Sequence, residues 1–191
     1  MAILKGFNKL GGLRRACLAC SLGLCMLLVN GMTTEMQSQE IEEYQLKAAF
    51  LFNFTKFISW SHADASSKLT VCVMNAKEVA GALEVVTRGK SVDARQVVVQ
   101  QISFPAALET CQILFIGNNG KKTEEILVEA KKLSIVTVGE DEKFLRRGGM
   151  INFVLEEGKL RFEINTDAAS RAGINISSKL LSLAKIVRDK S

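Results

Sequence analysis

Residues 112–139, QILFIGNNGKKTEEILVEAKKLSIVTVG, decide the fold. Gln112 to Gly117 is a short β-branched and aromatic run of strand length. Thr123 to Leu133 places Ile126, Leu127 and Ala130 on one helical face, and Ser134 to Gly139 is strand-like again. Strand, helix and strand in that order form a parallel crossover unit, whose strands are apolar throughout because helices cover them.

The same alternation extends upstream. Leu69 to Met74 (LTVCVM) and Val97 to Ile102 (VVVQQI) read as strands, Lys77 to Thr87 as a helix, and Pro105 to Glu109 as a short helical turn with proline near its start. Downstream, Met150 to Leu155 and Lys159 to Asn165 flank Glu156-Glu157-Gly158, a tight hairpin signal. Leu160, Phe162 and Ile164 alternate with Arg161, Glu163 and Asn165, which predicts one wetter face. Asp167 to Ala172 and Ser177 to Lys190 are predicted as terminal helices, the second capped by Ser177 or Ser178 and buried along Leu180, Leu183, Ala184 and Val187. The expected fold is one α/β domain: a mostly parallel sheet with helices on both faces, a C-terminal β-hairpin and terminal helices.

At the other end, Lys5, Lys9, Arg14 and Arg15 precede an uncharged apolar run from Ala16 to Val29, the order of a secretory leader. Cleavage is expected after Gly31, leaving residues 32–191 as the domain, with an ordered part of about 40–188. The run falls short of the roughly 18 to 20 residues of a membrane span, so a retained anchor is the weaker alternative. Three of the five cysteines, Cys17, Cys20 and Cys25, go with the leader, as do four basic residues and no acidic one. What remains has 21 basic against 20 acidic residues, and that balance gives no support for nucleic-acid binding.

Cys72 and Cys111 are then left in a chain sent to an oxidising compartment, which suggests one disulfide, with two separate buried thiols as the alternative. Ile41 to Trp60 reads as a helix apolar on more than one side, either sandwiched within the fold or shared with a partner. Its end, Phe57 and Trp60, is a candidate contact patch.

Catalytic chemistry is poorly represented. The single histidine, His62, lies in a polar run, and two cysteines with one histidine do not make a closed zinc shell. Gly117 to Thr123 follows a strand and opens a helix but misses the phosphate-loop spacing. It is read as a turn, with Gly117, Gly120 and Lys121 as candidates for holding an anion in a small-ligand sensing module. No metal and no cofactor is implied.

Glu43 to Phe57 (EYQLKAAFLFNFTKF) with Ser59-Trp60, Cys111 to Ile116 (CQILFI) and above all Gly148 to Lys185 (GGMINFVLEEGKLRFEINTDAASRAGINISSKLLSLAK) resemble the YfiR-like family of periplasmic proteins. The resemblance implies a repressor that binds the periplasmic part of an inner-membrane diguanylate cyclase, is relieved through an outer-membrane lipoprotein, and is not inserted in the membrane after cleavage. It also implies that Cys72 and Cys111 are the family's structural disulfide. Described members carry a second cysteine pair nearer the C-terminus. Residues 134–155 here hold no cysteine, so redox control through such a pair is not carried over. The candidate partner surface is Arg161, Glu163 and Asn165 with Arg171, Asn175, Ser178 and Lys179; the plainer alternatives are that Asn165 and Ser178 cap helices and that Arg161 and Glu163 form a surface ion pair, and monomer and homodimer both stay open.

Overall fold

The structure, a computed structural model, describes residues 40–60, 67–104, 108–117 and 122–189. The expected leader, the start at residues 32–39, His62, Pro105, Gly120 and Lys121 lie outside them. The chain divides into residues 1–42 and 43–191; of the first unit only residues 40–42 are described, and they are helical.

In chain order the elements are α1 (residues 40–57), β1 (Ile58–Trp60), β2 (Lys68–Met74), α2 (Lys77–Thr87), β3 (Ser91–Val92), β4 (Arg95–Gln101), β5 (Ile113–Ile116), α3 (Thr123–Lys132), β6 (Val136–Gly139), β7 (Ile151–Glu156), β8 (Lys159–Asn165), α4 (Thr166–Arg171), β9 (Ile174–Ile176), α5 (Ser178–Leu181) and β10 (Lys185–Val187). Eight strands form one sheet in the order β10-β8-β7-β6-β5-β2-β4-β3, and β1 pairs with β9 in a second, two-stranded sheet. The large sheet is parallel except at its two hairpins, β7–β8 and β3–β4. Both hairpins turn through two residues of positive φ, Glu157-Gly158 (51° and 72°) and Asp93-Ala94 (51° and 62°), the geometry that matches the twist of paired strands.

Strand alternation divides the interior. Leu69, Val71 and Val73 of β2, with Ile113 and Phe115 of β5, face one core; Cys72, Met74, Leu114 and Ile116 face the other. On the first face α1 and α2 pack, and Phe50 and Phe54 meet Phe153 and Phe162 with ring centroids 5.3–6.0 Å apart, within the range of favourable aromatic pairs. On the second face lie α3, through Ile126, Leu127 and Ala130, and two 3-10 turns at Leu108–Thr110 and Leu145–Arg147. Helices therefore cover both faces, as the alternating pattern requires.

Three segments differ from the sequence reading. The first helix ends at Phe57, and Ile58–Trp60 is a strand because Ile174–Ile176 offers it an antiparallel partner. The predicted helix 177–190 stops at Leu181. Lys185–Val187 instead adds in parallel to β8, where the open edge of the hairpin supplies backbone partners that a frayed terminal helix lacks. Leu183 of the expected buried stripe is consequently 69% exposed, while Leu180 is buried as predicted. The short strand Ser91–Val92 has no apolar run to announce it.

The apolar circumference of α1 is largely used inside the fold: Ala48, Leu51, Phe52 and Phe54 are all buried, which favours the sandwiched alternative. The disulfide between Cys72 and Cys111 forms, with Cα atoms 5.7 Å apart and both residues buried.

Candidate functional site

Folding brings together two groups of residues that the sequence keeps more than a hundred positions apart. β1 pairs with β9 so that Ser59 stands opposite Asn175 and Trp60 opposite Ile174, and the Ser177 amide extends the ladder by donating to the Phe57 carbonyl at 2.9 Å. Ile58 and Ile174 point inward and are buried, while Ser59 and Asn175 point outward and are exposed, as period-two alternation demands. Gly173, at φ 69°, lets the chain reverse after α4 into β9. Ser177 caps α5 by accepting from the Leu180 amide at 3.3 Å, which leaves Ser178 and Lys179 exposed beside Asn175. Phe57, Trp60, Asn175, Ser178 and Lys179 thus belong to one neighbourhood around the small sheet.

Trp60 is half-buried there, with the Arg95 guanidinium 5.8 Å from its ring centroid, within cation–π range. Its indole nitrogen is buried and has no hydrogen-bond partner among the described residues, an unusual state for a buried donor. A cleft of about 480 Å³ runs past Ser59, Trp60 and Arg95 towards Glu109 and Gln112. An aromatic face, an arginine and several exposed hydrogen-bonding groups around a cleft are the composition of a protein-docking surface.

The remaining candidates separate from this neighbourhood. Arg161 and Glu163 lie on the β8 face opposite the α1 core; Arg161 is exposed, and Glu163 is half-buried and ion-paired with Lys185 at 2.7 Å. The hydrogen bond from Lys185 to Glu163 holds the lysine above its ordinary pKa. Asn165 is a correction: it is 1% exposed and serves the fold. Its side-chain oxygen caps α4 by accepting from the Ala168 amide at 2.9 Å, and its NH2 donates to Asp189 at 2.8 Å. Arg171 pairs with the same aspartate at 2.5 Å. The Asn165 hydrogen bond first and Arg171 second hold the Asp189 carboxyl below the usual carboxylate range. This network fastens the C-terminal tail to α4.

The Gly117 amide donates to the Met74 carbonyl at 2.9 Å, and a methyl on Gly117 would stand 2.5 Å from the Asn75 oxygen. Glycine is needed there for a close backbone approach between the ends of β2 and β5. That N–H is already committed and is not available to an anion.

One cluster escaped the sequence reading. Lys47 on α1 is 6% exposed and its ammonium lies 2.5 Å from both Glu43 and Glu140. Burial pulls its pKa down, and the hydrogen bonds to Glu140 and Glu43 more than offset this, so the net shift is upward. The i,i+4 spacing of Glu43 and Lys47 was a visible signal. Glu140, 93 residues away at the end of β6, was not.

Comparison with known proteins gives a family and a weak structural similarity. No curated protein matches the chain. A solved structure from Vibrio cholerae O1 biovar El Tor strain N16961, described as a conserved domain protein, is similar at 15% identity and a TM-score of 0.46 over 63% of this chain. The matched part spans 54% of that structure's length. The family model described as YfiR/HmsC-like matches residues 44–185, from the first turns of α1 to the start of β10, and so includes both cores, the disulfide and the small sheet. The chain belongs to the YfiR/HmsC-like family.

Proposed function

We propose that this protein is an exported, non-enzymatic regulator that binds the periplasmic part of an inner-membrane diguanylate cyclase and represses it, lowering cyclic di-GMP. The observation that carries the reading is the family match across residues 44–185. The buried Cys72–Cys111 disulfide supports an oxidising compartment. The neighbourhood of Phe57, Trp60, Asn175, Ser178 and Lys179 is the proposed contact surface, with Arg161 and Glu163 as a second face open to an outer-membrane lipoprotein or a second copy of the chain.

The reading is tested by titrating the purified protein into the purified periplasmic domain of the host's cyclase and following binding by calorimetry. Saturable one-to-one binding, weakened at least tenfold by Trp60→Ala with Asn175→Ala, is expected. Absence of binding to every periplasmic cyclase domain of the host overturns the reading. Equal binding by the double variant overturns the placement of the surface.

A further inference from the structure

The large sheet ends in a strand that adds little to its interior. In β10, Lys185 and Ile186 are exposed, and only Val187 is half-buried, packed against the second core. What holds this strand is polar. Its three residues pair in parallel with β8, and Lys185 lies 2.7 Å from Glu163 and 3.8 Å from Glu156. Just beyond, Asp189 pairs with Arg171 at 2.5 Å and accepts from the Asn165 NH2 at 2.8 Å, while its own amide donates to Asp167 at 2.9 Å. Exposed ion pairs contribute little, and a segment with few buried apolar contacts opens at the low end of a domain's local stabilities. Beneath it lies the edge of β8, which without β10 is a row of unpaired backbone donors and acceptors.

The chemistry this edge selects is visible in the contacts of β10 itself. In strand addition the backbone supplies affinity and alternate side chains supply specificity. Glu163 and Glu156 receive a cation at Lys185, the second core receives an aliphatic side chain at Val187, and Arg171 with Asn165 receives a carboxylate at Asp189. The selected pattern is basic, aliphatic and acidic at every second residue. Upstream, α5 stays docked through Leu180, which is buried, and residues 182–184 join it to β10. Three extended residues span about 10 Å, so β10 can swing off its own β8 edge, whereas a second copy would have to lie within that reach to receive it.

We infer that β10 is a releasable strap that occupies a strand-addition site on β8, and that a partner protein displaces it with an extended segment carrying a basic, an aliphatic and an acidic residue at alternate positions. The inference rests on the reading that the chain acts by binding a protein, and it names a site and a recognition pattern for that binding. The closed strap lowers the apparent affinity for such a segment in proportion to the fraction of molecules whose edge is open.

The test opens the strap without altering the edge. Lys185→Glu with Asp189→Lys sets like charges against Glu163 and Arg171 and leaves every residue of β8 and α4 as it is. Both positions are exposed, so the variant is expected to fold, which its unfolding midpoint checks. A fluorescein-labelled peptide of residues 184–189, AKIVRD, is titrated by anisotropy into the purified full chain and into the variant. A control peptide carries glutamate for the lysine and lysine for the aspartate. Binding to the variant at least tenfold tighter than to the wild type, with the control at least tenfold weaker, is the expected result. Hydrogen exchange of the wild type should be at least tenfold faster at Lys185–Val187 than at Ile151–Glu156. No binding of the peptide to the variant, equal binding to both proteins, an equally bound control, or exchange in β10 as slow as in β7 overturns the inference. A concentration-dependent dimer that the variant abolishes also overturns it, by making a second copy the occupant. The cyclase periplasmic domain is titrated into the same two proteins. Tighter binding of that domain to the variant makes it the displacing partner. Equal binding overturns the strap as its docking site and leaves the regulatory reading standing. Peptide capture without any binding of the cyclase domain overturns the regulatory reading instead.

Discussion

Reducing the Cys72–Cys111 bond is expected to remove a substantial part of the margin by which this domain stays folded. The bond closes a loop with a sequence separation of 39. In the chain-entropy model, releasing a loop of that length returns about 4 kcal/mol of conformational freedom to the unfolded state. A typical domain is stable by only about 5–15 kcal/mol. For a chain of this size each kcal/mol corresponds to about 2–4 °C, so reduction should lower the melting temperature by about 8–16 °C. The chain has one tryptophan, and Trp60 sits half-buried on β1, so its fluorescence reports unfolding in urea with and without dithiothreitol. The reduced wild type keeps both sulfur atoms in place and isolates the cross-link. A Cys72→Ala, Cys111→Ala variant removes two buried sulfurs and should be less stable than the reduced wild type by about 1 kcal/mol per cavity, with no response to reductant. Coincident midpoints for oxidised and reduced wild type would refute the argument.

Further expectations concern the charge networks and one tight contact. Lys47→Met removes the ammonium that Glu43 and Glu140 share and should cost about 3 kcal/mol in urea unfolding; adding Glu43→Gln and Glu140→Gln should recover most of it. Because the Lys47 pKa is raised on folding, its contribution should be whole below about pH 10 and fade as pH rises further. Asp189 has the opposite sign, its pKa being lowered. Asp189→Asn should cost less than about 1 kcal/mol at pH 7, since the pair is exposed, and the loss should vanish as pH falls below about 4. A methyl on Gly139 would enter the ring of Phe144, which is 1% exposed. Gly139→Ala should therefore lower stability by about 1–3 kcal/mol, and Phe144→Leu in the same chain should restore part of it.

What the sequence makes legible here follows from how far each element depends on distant partners. The apolar runs around Val71, Phe115 and Val138 could be placed because strands buried on both faces announce themselves locally. The helix Lys77–Thr87 agrees with its expected limits, because its amphipathic pattern and its neighbours ask for the same conformation. The tail departs from its local pattern for the converse reason. Leu180, Leu183, Ala184 and Val187 keep helical spacing, yet β8 offers Lys185–Val187 an unpaired edge, and pairing at distance overrides local period. Trp60 reads as helix because its strand partner, Ile174, lies 114 positions further on. The candidate surface was legible as residue types, and the joining of Phe57 and Trp60 with Asn175 and Ser178 is tertiary. Asn165 reads as a wet-face residue by alternation, with a helix cap as its plainer reading; the cap on α4 is local, whereas its hold on Asp189 depends on where the chain end returns.

The regulatory reading is met most directly by the cellular level of cyclic di-GMP in the native host, with the gene intact, deleted, and restored as wild type or as Cys72→Ser. A rise on deletion that wild type reverses and Cys72→Ser reverses poorly is the predicted result. An unchanged level on deletion, under conditions where the protein is expressed and its cyclase is present, would contradict it.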